Sequence, residues 1–116
     1  IKMRESTELT VENIEVFPDN EQSKLTLTLD EGVVVFDSRK SRGLIEIRTE
    51  SINIYAARAL FKVSSRDGLV RIKVSQGLAN VERFDEVRKL AASQMVELNE
   101  SDLSNVRKFN PLTETW

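Results

Sequence analysis

Apolar and polar residues alternate in short runs along most of the chain. Residues 24–29 alternate lysine or threonine with leucine, and residues 70–74 alternate valine or isoleucine with arginine or lysine. Because successive side chains of a β-strand point to opposite faces of the sheet, each run predicts a strand with one buried and one solvated face. Turn residues separate the runs at intervals of about eight to twelve positions, which is typical of an all-β domain.

Three segments that contain glycine predict turns between these strands. We expect residues 30–32, Asp-Glu-Gly, to turn the chain, and residues 72–78 form a similar strand–turn–strand unit around Gly77. Residues 65–68, Ser-Arg-Asp-Gly, predict a hairpin turn because Asp and Gly tolerate positive φ. The repeated units favour an all-β fold of stacked short strands and hairpins, either β-solenoid-like or a sandwich.

The same alternation predicts the core. A chain of 116 residues is enough for one such core, so we expect a single folded unit. We expect strand to exceed about 40% of the chain, compared with about 20–25% in an average globular protein. The residues expected to be buried are Leu27, Leu29, Val35, Ile45, Ile47, Phe61, Val63, Val70, Ile72 and Val74.

The last third of the chain is less regular. Residues 81–98 could form a helix with Phe84 and Val87 on its apolar face, or two short strands at residues 87–90 and 95–98. Both interpretations remain open from periodicity alone.

A short helix is predicted after Asn99. Residues 101–108 begin with serine, a favourable N-cap, and carry apolar residues at helical spacing, and the Asn-Pro pair at residues 110–111 ends the run. We therefore expect a β domain over residues 1–98 and a C-terminal tail over residues 99–116 that contains this helix.

The composition excludes several kinds of chemistry. Seventeen basic and nineteen acidic residues give a formal charge of −2, which argues against the positive field that nucleic-acid binders use. The chain has no histidine and no cysteine, so it has no imidazole base, no thiolate nucleophile and no ligand of the kind that zinc or copper prefers. We expect a protein that is not an enzyme and has no cofactor.

Charged clusters offer little else. The pairs Asp30–Glu31 and Asp85–Glu86 could hold calcium or exchange protons, but aspartate favours turns, which explains both pairs more simply. The basic residues Arg39, Lys40 and Arg42 could attract an anionic surface, but three charges are few for such attachment, and a solvated loop is the simpler interpretation.

Two places are candidates for binding a protein partner. Val33, Val34, Val35 and Phe36 are apolar on both faces of one predicted strand, so this strand is either covered on both sides or available to a neighbouring molecule. If it lies at a sheet edge, or if its side chains are exposed, it is the predicted interface. Trp116 follows a polar tail and either packs back on the domain or anchors it.

The order of these segments resembles the FecR domain of bacterial envelope proteins. The resemblance lies in residues 27–35 (LTLDEGVVV), 45–49 (IEIRT), 58–63 (RALFKV), 67–77 (DGLVRIKVSQG) and 87–96 (VRKLAASQMV). The chain departs from the family pattern where Arg-Ala replaces Gly-Thr at the start of the third segment, and where serine replaces glycine in the last one.

The resemblance implies an all-β domain that acts through protein contacts, with strands rather than a helix at residues 87–98. FecR-type regulators are implied to work in the periplasm, or otherwise outside the cytoplasm, and to connect an outer-membrane transporter to a sigma factor. The expected partners are envelope proteins, and membrane attachment would come only from segments outside this chain. A structural component of an envelope assembly and a domain that binds glycan or peptidoglycan are the alternatives.

Overall fold

The computed structural model describes residues 1–4, 6–17, 22–40, 43–99 and 102–116. Within them the fold is all-β, as predicted, with about 70% strand and one 3₁₀-helix, Pro111–Thr113. The strands are β1 (Lys2–Met3), β2 (Glu8–Phe17), β3 (Gln22–Asp37), β4 (Leu44–Arg48), β5 (Asn53–Arg66), β6 (Leu69–Arg83), β7 (Glu86–Leu90), β8 (Gln94–Asn99), β9 (Asp102–Leu103) and β10 (Arg107–Lys108).

The strands form one mixed sheet that has two halves. The order is β1-β3-β4-β5-β6-β8-β10, with β2 beside β3, β7 beside β6 and β9 beside β8, and β3 also pairs with β5. Half A contains β2, β4 and β7 together with the parts of the long strands β3, β5 and β6 at residues 22–31, 53–57 and 78–83. Half B contains β1, β8, β9 and β10 with residues 32–37 and 60–76 of the same strands. Among the strand pairs of the described residues, only β3–β4 is parallel.

The three long strands change their buried face where they pass from one half to the other. A regular strand buries every second residue, so its buried positions are either all odd-numbered or all even-numbered. We call this the parity of the strand. In β3, β5 and β6 the parity changes once, between the two halves. The buried positions are Leu27 and Leu29 then Val34 and Phe36 in β3, Ile54 and Ala56 then Ala59, Phe61 and Val63 in β5, and Val70, Ile72 and Val74 then Ala79 and Val81 in β6.

Each parity change coincides with a residue in the left-handed region. The φ angles are +119° at Gly32, +48° at Arg58 and +87° at Gly77, and the β5–β6 ladder shifts register beside Arg58. Such bulges bend a strand and let it cross from one layer to another. We call Gly32, Arg58, Ala59 and Gly77 the bend line.

The predicted turns at residues 30–32 and around Gly77 are therefore wrong. Both β3 and β6 continue through these segments as strands, and the glycines bend them instead of reversing them. The predicted hairpin at residues 65–68 is confirmed, because Asp67 and Gly68 form a two-residue turn with φ of +51° and +79° between β5 and β6.

Two hydroxyl groups supply acceptors for backbone N–H groups beside the bends, at residues whose carbonyls also accept from the backbone N–H groups of Arg4 and Ser38. The Thr7 hydroxyl accepts a hydrogen bond of 3.1 Å from the Val33 N–H and donates one of 3.3 Å to the Val33 carbonyl. The Ser38 hydroxyl does the same at Ala59, with distances of 3.1 and 3.3 Å, and the Ser38 side chain is buried. Because an unpaired buried backbone group costs about 1–3 kcal/mol, these contacts stabilise the bends.

Both halves bury their inner faces in one core. The buried cluster combines residues from half A, such as Leu27 and Ile54, with residues from half B. Phe36 and Phe61 stack at its centre, with ring centroids 5.1 Å apart and both side chains fully buried. Of the ten residues predicted to be buried, nine are, and Ile45 is half-buried against the cluster.

Residues 81–98 form strands and not a helix. Residues 86–90 and 94–99 are β7 and β8, so the strand interpretation of residues 81–98 is confirmed. The predicted helix over residues 101–108 is wrong: its described residues form β9 and β10, whose backbones pair with β8. The division into a domain of residues 1–98 and a tail stays a prediction.

The Asn-Pro pair at residues 110–111 begins a 3₁₀-helix and does not end a helix as predicted. The Asn110 side chain accepts a hydrogen bond of 3.0 Å from the Leu112 N–H, and proline occupies the first position. Asparagine is favoured at the N-cap, and proline is favoured at the first helical position because it has no N–H that would need an acceptor.

Glycine substitutions at two strained positions should stabilise the fold. Arg58 and Ser93 have φ of +48° and +66°, and they are the two places where the FecR pattern has glycine. Side chains in this region cost about 1–2 kcal/mol, part of which the greater freedom of glycine in the unfolded chain offsets. We expect Arg58→Gly and Ser93→Gly each to raise the free energy of unfolding by about 0.5–1 kcal/mol in urea denaturation.

The matched control is Lys89→Gly, at an exposed position of β7 outside the left-handed region, which should lower the free energy of unfolding. Equal destabilisation by all three substitutions would contradict the assignment of backbone strain.

Candidate interaction surfaces

An exposed apolar row crosses the outer face of half A. Leu44, Ala57 and Leu78 lie directly opposite one another on β4, β5 and β6, and Leu44 and Leu78 are 37% and 67% exposed. A shallow cavity of about 360 Å³ opens beside them, with Tyr55 and Leu90 in its lining. We call Leu44, Ala57 and Leu78 the outer apolar row.

The tip of the β6–β7 hairpin carries a second exposed apolar group. Phe84 is 89% exposed and adopts φ of +53°, an unfavourable conformation for a bulky residue. Its contact within the described chain is the Arg83 guanidinium, 5.2 Å from the ring centroid. Val87 on β7 is 46% exposed. The positive φ belongs to the two-residue turn at residues 84–85, and the turn leaves the Phe84 ring on the surface.

A polar network separates the outer apolar row from the hairpin tip. Glu46 is buried and accepts from Arg48 at 2.6 Å, and its second oxygen lies 3.6 Å from the Lys24 ammonium. Burial, followed by the charges of Glu46 and Glu82, raises the pKa of Tyr55 above its usual value. The Glu46 carboxylate at the middle of the face therefore has two cationic partners.

The structure places the predicted interface strand in the interior. Val34 and Phe36 have no exposed surface, Val35 is 6% exposed, and Val33 is half-buried. This part of β3 lies between β1 and β5, so it is not a sheet edge. The conditions of edge position or exposure are not met, because the bend at Gly32 turns Val34 and Phe36 into the core. Their role in binding stays a prediction without support from exposure.

Trp116 packs back on the domain, which is one of its two expected placements. Its indole N–H donates a hydrogen bond of 2.9 Å to the Pro111 carbonyl, and its ring centroid is 6.1 Å from that of Phe109. The Lys62 ammonium lies 5.0 Å from the same ring, within the range of a cation–π contact. Whether Trp116 also binds a partner stays a prediction.

The tail brings a carboxylate onto the outer face of half B. Glu114 accepts from the Lys62 ammonium at 2.7 Å, and its other oxygen pairs with Lys73. Hydrogen bonds from Lys62 and Lys73 lower the pKa of Glu114 to about 2. No periodicity marked Glu114, because its partners lie on strands 41 and 52 residues away.

An open cleft lies next to this ion pair. Its volume is about 260 Å³, and we call it the basic cleft; its lining consists of Arg4, Val33, Lys62, Ser64, Arg71, Lys73 and Glu114. The Arg71 Nε donates to Glu97 at 3.0 Å, and Arg107 pairs with the same carboxylate oxygen at 3.0 Å.

The turn interpretation of the two acidic pairs is confirmed at Asp85, which lies in the turn between β6 and β7, but it is wrong for Asp30 and Glu31, which lie within β3. Among the described residues no group of three or more histidine, cysteine, aspartate or glutamate side chains could hold a metal ion. Arg39 pairs with Asp37 at 2.7 Å, and its hydrogen bond lowers the pKa of the exposed Asp37 to about 2. Lys40 is exposed, and Arg42 lies outside the described residues.

Replacing Glu114 should destabilise the fold in a pH-dependent way. The pKa of about 2 in the folded chain is below the ordinary 4.5, so the ionised carboxylate stabilises the fold above about pH 4.5 and this stabilisation disappears as the pH falls towards 2. With allowance for solvent screening, Glu114→Gln should lower the free energy of unfolding at pH 7 by about 1–2 kcal/mol. Urea denaturation at several pH values measures the difference, which should shrink below pH 4.5.

The control is Glu50→Gln, an exposed position between β4 and β5 that should change the free energy of unfolding little. A wild-type advantage over Glu114→Gln that stayed constant down to about pH 2 would contradict the ion-pair account.

Comparison with known proteins places the fold in one family. Two crystal structures, at 2.50 and 1.65 Å resolution, of proteins from Parabacteroides distasonis described as anti-sigma factors resemble the chain with TM-scores of 0.61 and 0.62 at 15% identity. The alignments cover 73% and 93% of this chain but only 41% and 54% of those proteins, so the chain spans about half their length. No significant match was found among curated protein sequences. The family model described as FecR protein matches residues 1–80, which is more than half of the chain, and the chain therefore belongs to the FecR family.

Proposed function

We propose that this chain is a non-catalytic interaction domain of a FecR-type signalling regulator, and that it helps to connect an outer-membrane transporter to a sigma factor. The observation that carries the proposal is the FecR match over residues 1–80. The fold shared with proteins described as anti-sigma factors is consistent with it. Because those proteins are about twice as long, the connection to the sigma factor would need parts of the protein beyond this domain.

The exposed apolar groups of half A support a docking role. Leu78 and Phe84 are both more than half exposed although neighbouring positions of β6 are buried or polar. Burial of apolar surface contributes about 25 cal/mol per Å², and a few residues near the centre of an interface commonly dominate its binding energy. The outer apolar row therefore supplies the anchors for a partner protein in the envelope.

The chemistry of the chain agrees with binding and offers nothing for catalysis of the common kinds. The sequence has neither histidine nor cysteine, and the carboxylate with the best-defined cationic partners, Glu114, is held in its ionised form between two lysines. A carboxylate with a pKa near 2 is a poor proton acceptor at neutral pH. We therefore assign no reaction to the domain.

We propose that the domain lies in the periplasm, and its membership of the FecR family supports this location. Among the described residues there is no helix long and apolar enough to span a bilayer. Co-purification of an outer-membrane transporter would also test the proposed location, because such a transporter is accessible only from outside the cytoplasm.

Loss of the outer apolar row should remove the partner without unfolding the domain. Leu78→Glu replaces an anchor that is 67% exposed, so the melting temperature should change little while binding weakens by roughly tenfold or more. The measurement is affinity purification of the full-length protein from envelope extract, with quantification of co-purified outer-membrane transporter.

Leu112→Glu is the matched control, because Leu112 is 92% exposed in the tail, away from the row. It should recover as much transporter as the wild type. Undiminished recovery with Leu78→Glu, or recovery of cell-wall components in place of a transporter, would contradict the proposed function.

A further inference from the structure

The basic cleft is lined by more cations than carboxylates. Its lining includes four cations, Arg4, Lys62, Arg71 and Lys73, but a single carboxylate, Glu114. The whole chain has a net charge of −2, so this local excess opposes the overall balance. Such a cluster attracts anionic ligands and raises their local concentration.

The register of half B explains why part of this face stays open. Lys62 and Lys73 lie opposite each other on β5 and β6, and the tail covers this row through Glu114. In the neighbouring row Ser64 lies between Val33 on β3 and Arg71 on β6. The cleft of about 260 Å³ lies over this second row, with Glu114 already in place at its border.

The donors around the cleft already bind one carboxylate and two carbonyl groups of the chain's own tail. Besides Glu114, the Lys62 ammonium and the Arg4 guanidinium each donate to the Thr115 carbonyl at 3.4 Å. The Lys2 ammonium donates to the Trp116 carbonyl at 2.9 Å. This face therefore binds a carboxylate side chain together with the carbonyl groups that follow it.

The two arginines keep donors for a further anion. Arg71 uses its Nε for Glu97, and Arg4 uses one terminal nitrogen for the Thr115 carbonyl. A guanidinium has five N–H donors in a planar fork that matches a carboxylate. Arg4, directly after β1, and Arg71 on β6 are separated by β3 and β5, a distance of roughly 14 Å that two long side chains can bridge with one carboxylate between them.

We propose that the basic cleft is a second binding site, which takes a carboxylate side chain from an acidic, extended segment of a partner protein. Arg4 and Arg71 donate to this carboxylate over Ser64, while Glu114 stays on its lysines. A peptide carboxylate is favoured over a phosphate because the same face already binds a glutamate and its adjacent carbonyls. The site lies on half B, so it is independent of the outer apolar row and of the partner proposed for it.

A labelled peptide tests the site directly. The probe is fluorescein-labelled hexaglutamate, with hexaglutamine as the neutral counterpart, and fluorescence anisotropy at low ionic strength gives the dissociation constant. Saturable binding of hexaglutamate alone is expected, although the protein is acidic overall. Arg4→Gln and Arg71→Gln should each raise the dissociation constant roughly tenfold, because each removes charge-assisted hydrogen bonds.

The control variant is Arg39→Gln, whose side chain pairs with exposed Asp37 outside the cleft lining and which should bind like the wild type. Arg4 is exposed, so its variant reports on binding even if Arg71→Gln loses stability with its Glu97 contact. The proposal is overturned by absence of saturable binding, by an equal loss with Arg39→Gln, or by inorganic phosphate that displaces the peptide at equal concentration.

Discussion

The fold depends on the passage of three continuous strands from one half of the sheet to the other. The two halves face a single core, so a strand that serves both must change which of its faces points inward. An unbroken two-residue period cannot do this, and one extra residue in each strand can. Gly32, Arg58 and Gly77 supply that residue, and the hydroxyls of Thr7 and Ser38 satisfy the backbone groups at two of the bends.

The same bends create both surfaces on which the functional proposals rest. Leu78 has the parity of Val70, Ile72 and Val74, so an uninterrupted β6 would bury it, and the bulge at Gly77 turns it outward. In half B the altered parity directs Lys62 and Lys73 away from the core, where the tail meets them with Glu114. An apolar row and a basic cleft thus lie on the outer faces of two different halves, which would allow the domain to contact two partners.

Periodicity alone identified the strand segments at residues 24–29 and 70–74, the hairpin at residues 65–68 and nine of the ten expected core residues, because each depends on local alternation, but it left residues 81–98 undecided. Periodicity could not distinguish a turn from a bend at Gly32 and Gly77, because a glycine with positive φ fits either structure. The two structures differ in whether the chain reverses or continues as the same strand, which depends on pairing with distant strands. Residues 101–108 have helical spacing, but pairing with β8 overrides it. The basic cleft joins residues distant in sequence and leaves no local pattern. The departures from the FecR pattern at Arg58 and Ser93 proved informative, because both residues keep the glycine conformation.

The bend line is tested most directly by adding one carbon atom at Gly77. A Cβ there would overlap the Arg58 carbonyl and lie 2.7 Å from the Ala59 Cα, whereas a Cβ at Gly68 would meet nothing within 4 Å, and both glycines have positive φ. Comparison of Gly77→Ala with Gly68→Ala by urea denaturation therefore separates the crowding at the bend from the cost of φ. The account predicts a loss of about 3 kcal/mol or more for Gly77→Ala in one cooperative transition, and about 1 kcal/mol for Gly68→Ala. Equal losses in the two variants, or separate unfolding of the two halves, would contradict it.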